Sequence, residues 1–136
     1  MSVRPSTLLS PFTVLAAVLA CAGADSNAPL LDCTTAVTLE VGVGVHPDIR
    51  WTPSCGVTSL SVTFPDTGAI VAVPLWSVVS ATGNFGPPVR YGTAPPGTTQ
   101  YGPAAELTPG AAYVVHLTYG GRGRGAGTDT LTFTVQ

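Results

Sequence analysis

From residue 33 onward the chain alternates apolar and polar positions with a period of two. Between residues 37 and 46 the apolar set is Val37, Leu39, Val41, Val43 and Val45, separated by Thr38, Glu40, Gly42, Gly44 and His46. That alternation predicts a half-buried strand. Gly42 and Gly44 mark a bulge or a close backbone approach. Next, "DIRWTP" puts Ile49 and Trp51 on one face and Asp48, Arg50 and Thr52 on the other, and "SLSVTF" repeats the pattern with Leu60, Val62 and Phe64. "AIVAVPLWSVV" is apolar on both faces and carries Trp76, with Pro74 making part of it an edge or a break. "AYVVHLTY" directs Tyr113, Val115, Leu117 and Tyr119 to one side. "DTLTFTV" turns Leu131, Phe133 and Val135 inward and Thr130, Thr132 and Thr134 outward. Short strands at this spacing over about 100 residues predict an all-β sandwich.

The first residues follow another rule. Arg4 is the only charge before residue 25, and residues 8–20 are almost wholly apolar. Such a run is too short to cross a bilayer of about 30 Å as a helix, and it suits the apolar region of a signal peptide. Two processing readings stand. Signal peptidase could cut after a small-x-small site, Ala20-Cys21-Ala22 or Ala22-Gly23-Ala24. Alternatively, Val18-Leu19-Ala20-Cys21 resembles the lipobox of bacterial lipoproteins: an aliphatic residue, a variable one, Ala or Gly, then Cys. That resemblance implies a lipidated, palmitate-bearing Cys21 as the first mature residue. Ala22 stands where an aspartate often signals inner-membrane retention in that family, so the resemblance points to the outer membrane in a cell that has one. The expected organisation is a signal peptide over 1–20, a tether over 21–32 that is small, polar and aperiodic with Pro29, and a sandwich over 33–136.

Composition narrows the picture. The 136 residues suit one domain, and 45% apolar residues suffice for a core. Charged residues are 9%, against about 25% in an average soluble protein. There is no lysine and the net charge is −2, so no basic stripe exists for a phosphate backbone and no nucleic-acid partner is expected. The 16 glycines and 13 prolines punctuate the apolar runs as turns. Of the three cysteines, acylation or removal of Cys21 leaves Cys33 and Cys55 as a disulfide pair in an oxidising compartment.

Candidate chemistry is sparse. His46 lies in a turn and His116 points outward from its strand, with no spacing that pairs them, so no metal or cofactor is expected. No Gly-x-Ser-x-Gly elbow is present. Asp48, Asp66, Glu106 and Asp129 fall at expected turns or strand ends, where turn chemistry explains them. An enzyme is therefore not expected. The loop "YGGRGRGAGTD", residues 119–129, places Arg122 and Arg124 at its tip. It reads as an anion- or partner-binding loop or as a solvated hairpin loop. The Pro-, Gly- and Tyr-rich residues 86–110 offer two readings. Sugars could stack on Tyr91, Tyr101 or Trp76, or the segment could be an irregular crossing between sheets with prolines guarding the edges.

Two motifs carry a second resemblance. Ile49-Arg50-Trp51-Thr52-Pro53 resembles the second strand of fibronectin type III and related immunoglobulin-like modules, with its core tryptophan. Leu107-Thr108-Pro109-Gly110-Ala111-Ala112-Tyr113 is similar to the turn into the sixth strand of that fold, where the tyrosine forms a corner. The resemblance spans residues 35–136, and residues 66–100 depart from it. With the N-terminal reading, it implies an exported, membrane-anchored, non-catalytic envelope or surface protein that binds, adheres or builds structure. Its partners would be a membrane, through the lipid, and a protein or glycan. The alternatives are a secreted carbohydrate-binding module and a subunit of an extracellular fibre or layer.

Overall fold

The computed structural model describes residues 30–65, 73–81, 84–120 and 126–136. They form eight strands: β1 (Thr38–Val41), β2 (Asp48–Thr52), β3 (Ser59–Thr63), β4 (Trp76–Ser80), β5 (Val89–Arg90), β6 (Thr98–Tyr101), β7 (Ala112–Tyr119) and β8 (Gly127–Thr134). Among the described residues there is no helix. The strands make two antiparallel sheets, β1-β2-β5 and β6-β4-β3-β7-β8. Because successive side chains point to opposite faces, each sheet presents one apolar face, and the sandwich buries the two against each other.

The core follows the alternation. Ile49 and Trp51 from the smaller sheet meet Leu60, Val62, Val115 and Leu117 from the larger, all at most 2% exposed. The register carries the pattern across strands: Leu60 lies opposite Val78 and Leu117, and Val62 opposite Trp76 and Val115. The expected inward sets Tyr113–Val115–Leu117–Tyr119 and Leu131–Phe133–Val135 all reach the core or pack against it. Trp76 is fully buried, and among the described residues its indole Nε1 has no acceptor.

Two apolar positions depart from the expected strands. Val43 is 74% exposed, because β1 stops at Val41 and the chain turns through residues 42–47. The Gly42 N–H closes that turn on the Asp48 carbonyl at 2.9 Å. Gly44 takes φ +93°, a left-handed conformation that costs glycine little. Phe64 is 57% exposed. It falls one residue past the end of β3, where the ladder no longer dictates sidedness, and its ring lies 5.5 Å from that of Tyr113. Pro74 lies two residues ahead of β4, which begins at Trp76; the earlier part of that apolar run, residues 69–72, lies outside the described residues. Residues 86–110 do cross between the sheets: β5 pairs with β2, and β6 pairs with β4 in the other sheet.

Cys33 and Cys55 are bonded, with Cα atoms 4.9 Å apart. The first hairpin reverses about Val45, since Leu39 pairs with Trp51 and Val41 with Ile49. A reversal at Pro47 would set Cys55 against Leu39, so the earlier turn is what brings it near Cys33. The Cys33 N–H donates to the Gly56 carbonyl at 3.2 Å, and the Gly56 N–H to the Leu31 carbonyl at 2.7 Å. Packing reaches back to Leu30, whose side chain lies against Gly86. The Trp51 indole donates to the Cys55 carbonyl at 2.9 Å and meets Phe85 edge-on. At the opposite end Tyr113 Oη accepts the Thr108 N–H at 3.0 Å, pinning the turn into β7.

These anchors set two expected outcomes in urea unfolding. Trp51→Ala removes a fully packed indole and lowers stability by about 3–5 kcal/mol. Replacing both Cys33 and Cys55 by Ser opens a loop of sequence separation 22 and lowers it by about 3 kcal/mol. Unfolding midpoints unchanged in either variant would contradict these roles.

Candidate binding face

The outward positions of the larger sheet share one chemistry. Across the middle of all five strands runs the row Tyr101–Ser77–Ser61–His116–Thr130. Beside it runs a second row, Thr99–Val79–Ser59–Thr118–Thr128. Thr63, Val114 and Thr132 form a shorter third. Serine and threonine fill most positions because the outward half of the alternation is polar, and β-branched threonine fits a pleated surface. None of the outward strand positions of this sheet carries a formally charged residue. Hydroxyls bond across the face: Thr63 Oγ1 and His116 Nε2 are 3.0 Å apart, and the Thr118 and Thr128 hydroxyls are 3.5 Å apart. Tyr101 stands at the β6 edge, 57% exposed.

The smaller sheet carries charge instead. Glu40 lies opposite Arg50, and Asp48 sits 3.8 Å from Arg50 and 4.0 Å from Arg90. These pairs are exposed and contribute about 0–1 kcal/mol each. They balance in sign, so that face is solvated without a strong field. A further exposed pair, His46 with Glu106 at 3.8 Å, closes over the end of the sandwich beside the Tyr91 ring.

One carboxylate departs from its expected place. Asp129 lies inside β8, not at a strand end, and alternates inward with Leu131 and Phe133. Its Oδ2 accepts the Val37 N–H at 2.8 Å, and the Tyr119 hydroxyl donates to the same carboxylate. The acid thereby ties the start of β1 in the smaller sheet to the outer strand of the larger one. An inward charge also blunts β8 as an edge for pairing with another chain. Gly127 lies opposite Tyr119, and a Cβ there would come within 2.6 Å of the Tyr119 hydroxyl; glycine is what lets the phenol reach Asp129.

The sequence-predicted residues separate clearly. The structure brings Cys33 and Cys55 together. Trp76 and Tyr91 are 0% and 1% exposed, so they are core residues and cannot stack a sugar. The reason is their shared packing, with rings 5.3 Å apart, and the Tyr91 hydroxyl is spent on the Ala105 carbonyl at 2.8 Å. Of those three aromatics Tyr101 alone presents a ring to solvent. Tyr119 and Asp129, read as loop residues, belong to β7 and β8. Cys21, Asp66, Arg122 and Arg124 lie outside the described residues. His46 and His116 are not brought together, and among the described residues no three His, Cys, Asp or Glu side chains gather where one metal ion could be held. Sequence reasoning missed the uncharged face and the Asp129 tie. The alternation of Thr130, Thr132 and Thr134 was its visible signal. No protein-family model, curated protein or solved structure matches the chain.

Burial, then the hydrogen bond and charge of Asp129, hold the Tyr119 phenol above the usual 10.0. Its folded pKa is raised, so its contribution to stability is complete below the unfolded value and is lost as pH rises through the folded one. In an absorbance titration at the phenolate band, Tyr119→Phe removes a late-ionising component. Asp129→Asn moves that component to lower pH. A titration unchanged by Asp129→Asn would contradict the tie.

Proposed function

We propose that the protein is an exported, lipid-anchored, non-catalytic module that works at the cell envelope or surface by binding through the outer face of its five-stranded sheet. The observation that carries this reading is the division of the sandwich into a charged, sign-balanced face and an uncharged, hydroxyl-rich one. Solvation alone is served by the first. The second offers donors and acceptors in ordered rows without the repulsion that fixed charge would bring to a neutral partner.

Other features support the cellular setting. The Cys33–Cys55 bond suits an oxidising compartment. In this reading the lipobox-like pattern Val18-Leu19-Ala20-Cys21 serves as the lipidation site ahead of the folded domain; a multiply acylated cysteine holds a membrane where one chain would hold weakly. The resemblance to fibronectin type III modules is in keeping with Trp51 in the core of β2 and with the Tyr113 hydroxyl bonded back to Thr108. Such sandwiches serve as rigid scaffolds for recognition.

The test is the intact mass of the mature protein from its native membrane fraction. The expected mass starts at Cys21 with a diacylglyceryl and acyl load, less about two hydrogens for the disulfide. An unmodified mass starting after Ala22 or Ala24 would overturn the anchor and leave a secreted module.

A further inference from the structure

We propose that the uncharged face binds a neutral polysaccharide laid across the strands, with Tyr101, Ser61, His116 and Thr130 of one cross-strand row as its central contact line; Ser77, in the same row, is only 9% exposed and supports its neighbours from below. The proposal rests on the binding-module reading above and names its ligand class.

Charge is the first argument. Every outward residue of the larger sheet's strands is neutral apart from the titratable His116, whereas the opposite sheet holds Glu40, Asp48, Arg50 and Arg90. An anionic polymer would seek a basic face, which this sheet does not offer. A protein partner of ordinary composition brings charges whose burial against an uncharged face is costly. A neutral polyol brings none.

Hydrogen-bonding capacity is the second. A serine or threonine hydroxyl both donates and accepts and rotates to suit, as do the hydroxyls of a sugar. His116 adds a ring nitrogen already engaged with Thr63 at 3.0 Å, which orients the imidazole at the centre of the row. Tyr101, 57% exposed at the β6 edge, offers the aromatic surface on which the apolar face of a sugar ring can lie. Val79, 38% exposed in the neighbouring row, adds an apolar patch beside it.

Shape is the third. Strand spacing of about 4.8 Å makes the five-stranded face about 19 Å across. The eight residues of β7 and of β8 run about 27 Å along it. The face narrows from eight residues on β7 and β8 to four on β6; a broad sheet face suits several consecutive sugar units, whereas small molecules favour concave sites. With one exposed aromatic, single contacts are weak, and many anchored copies on one surface would act together on one polymer.

The experiment measures retention of the mature chain on beads of cellulose, chitin and amylose, with polygalacturonate beads as the anionic probe. Sedimentation of the same samples is run alongside. The expected result is retention on at least one neutral polymer and none on polygalacturonate. Ser61→Asp and Thr130→Asp each weaken it about tenfold, the equivalent of about 1.4 kcal/mol, and Tyr101→Ala weakens it several-fold. Arg90→Gln on the opposite face leaves it unchanged. Thr130 is exposed on the outer strand, so its variant keeps the test valid should Ser61→Asp disturb folding. Retention indifferent to both Asp variants, or equal retention on polygalacturonate, overturns the proposal. Absence of retention together with self-association that the Asp variants abolish overturns the glycan and leaves the face as the binding surface of the module. Absence of both overturns the face as a binding surface altogether.

Discussion

The Trp51 indole donates to the Cys55 carbonyl while the Cys55 sulfur is bonded to Cys33 and the Cys33 N–H rests on Gly56. Three stretches of chain are fixed at this junction: the entry to the domain, the end of β2, and the bridge from Val57 to Phe85. Trp51 is at the same time the largest side chain that the smaller sheet contributes to the core, set edge-on to Phe85. Its position fixes the register of β1 on β2, and that register decides which residues of the smaller sheet face inward. A slip by one residue would exchange Ile49 and Trp51 for Asp48 and Arg50 in the core.

A second tie comes from the Asp129 carboxylate, which holds the Val37 N–H and the Tyr119 hydroxyl. With the junction and this tie in place, the inner faces are committed and the outer ones are left free to differ. The smaller sheet uses its outer face for balanced charge. The larger uses its outer face for hydroxyls, a histidine and one exposed tyrosine. The functional proposal is built on that difference, since the packing of the core would tolerate either choice on either sheet.

Much of the inner architecture was legible in the sequence. The period-two alternation of residues 113–119 and 130–135 shows which residues turn inward, and the cysteine count suggests the bond. The turn motif ending at Tyr113 is visible as a local pattern and does form a pinned corner. What alternation cannot give is strand order. Ser61, Ser77, His116 and Thr130 are scattered along the chain and become a row only once β3, β4, β7 and β8 are neighbours. Strand ends were equally hidden: Val43 and Phe64 continue their patterns on paper but lie just past the last ladder hydrogen bonds. Sugar stacking on Trp76 and Tyr91 stayed open as one of two readings because exposure cannot be read from residue type. Asp129 looked like a turn residue because an inward carboxylate requires partners, here Val37 and Tyr119, that no local window contains.

The most direct test of the central claim, that the hydroxyl-rich face is the one that works, is a backbone amide nuclear magnetic resonance titration of the mature chain with a neutral envelope polysaccharide cut to soluble oligosaccharides. The account predicts shift changes concentrated at Ser61, Ser77, His116 and Thr130 and at the edge residue Tyr101, with the amides of Glu40, Arg50 and Arg90 unmoved. Changes centred on the charged face, or no changes at saturating oligosaccharide, would contradict it.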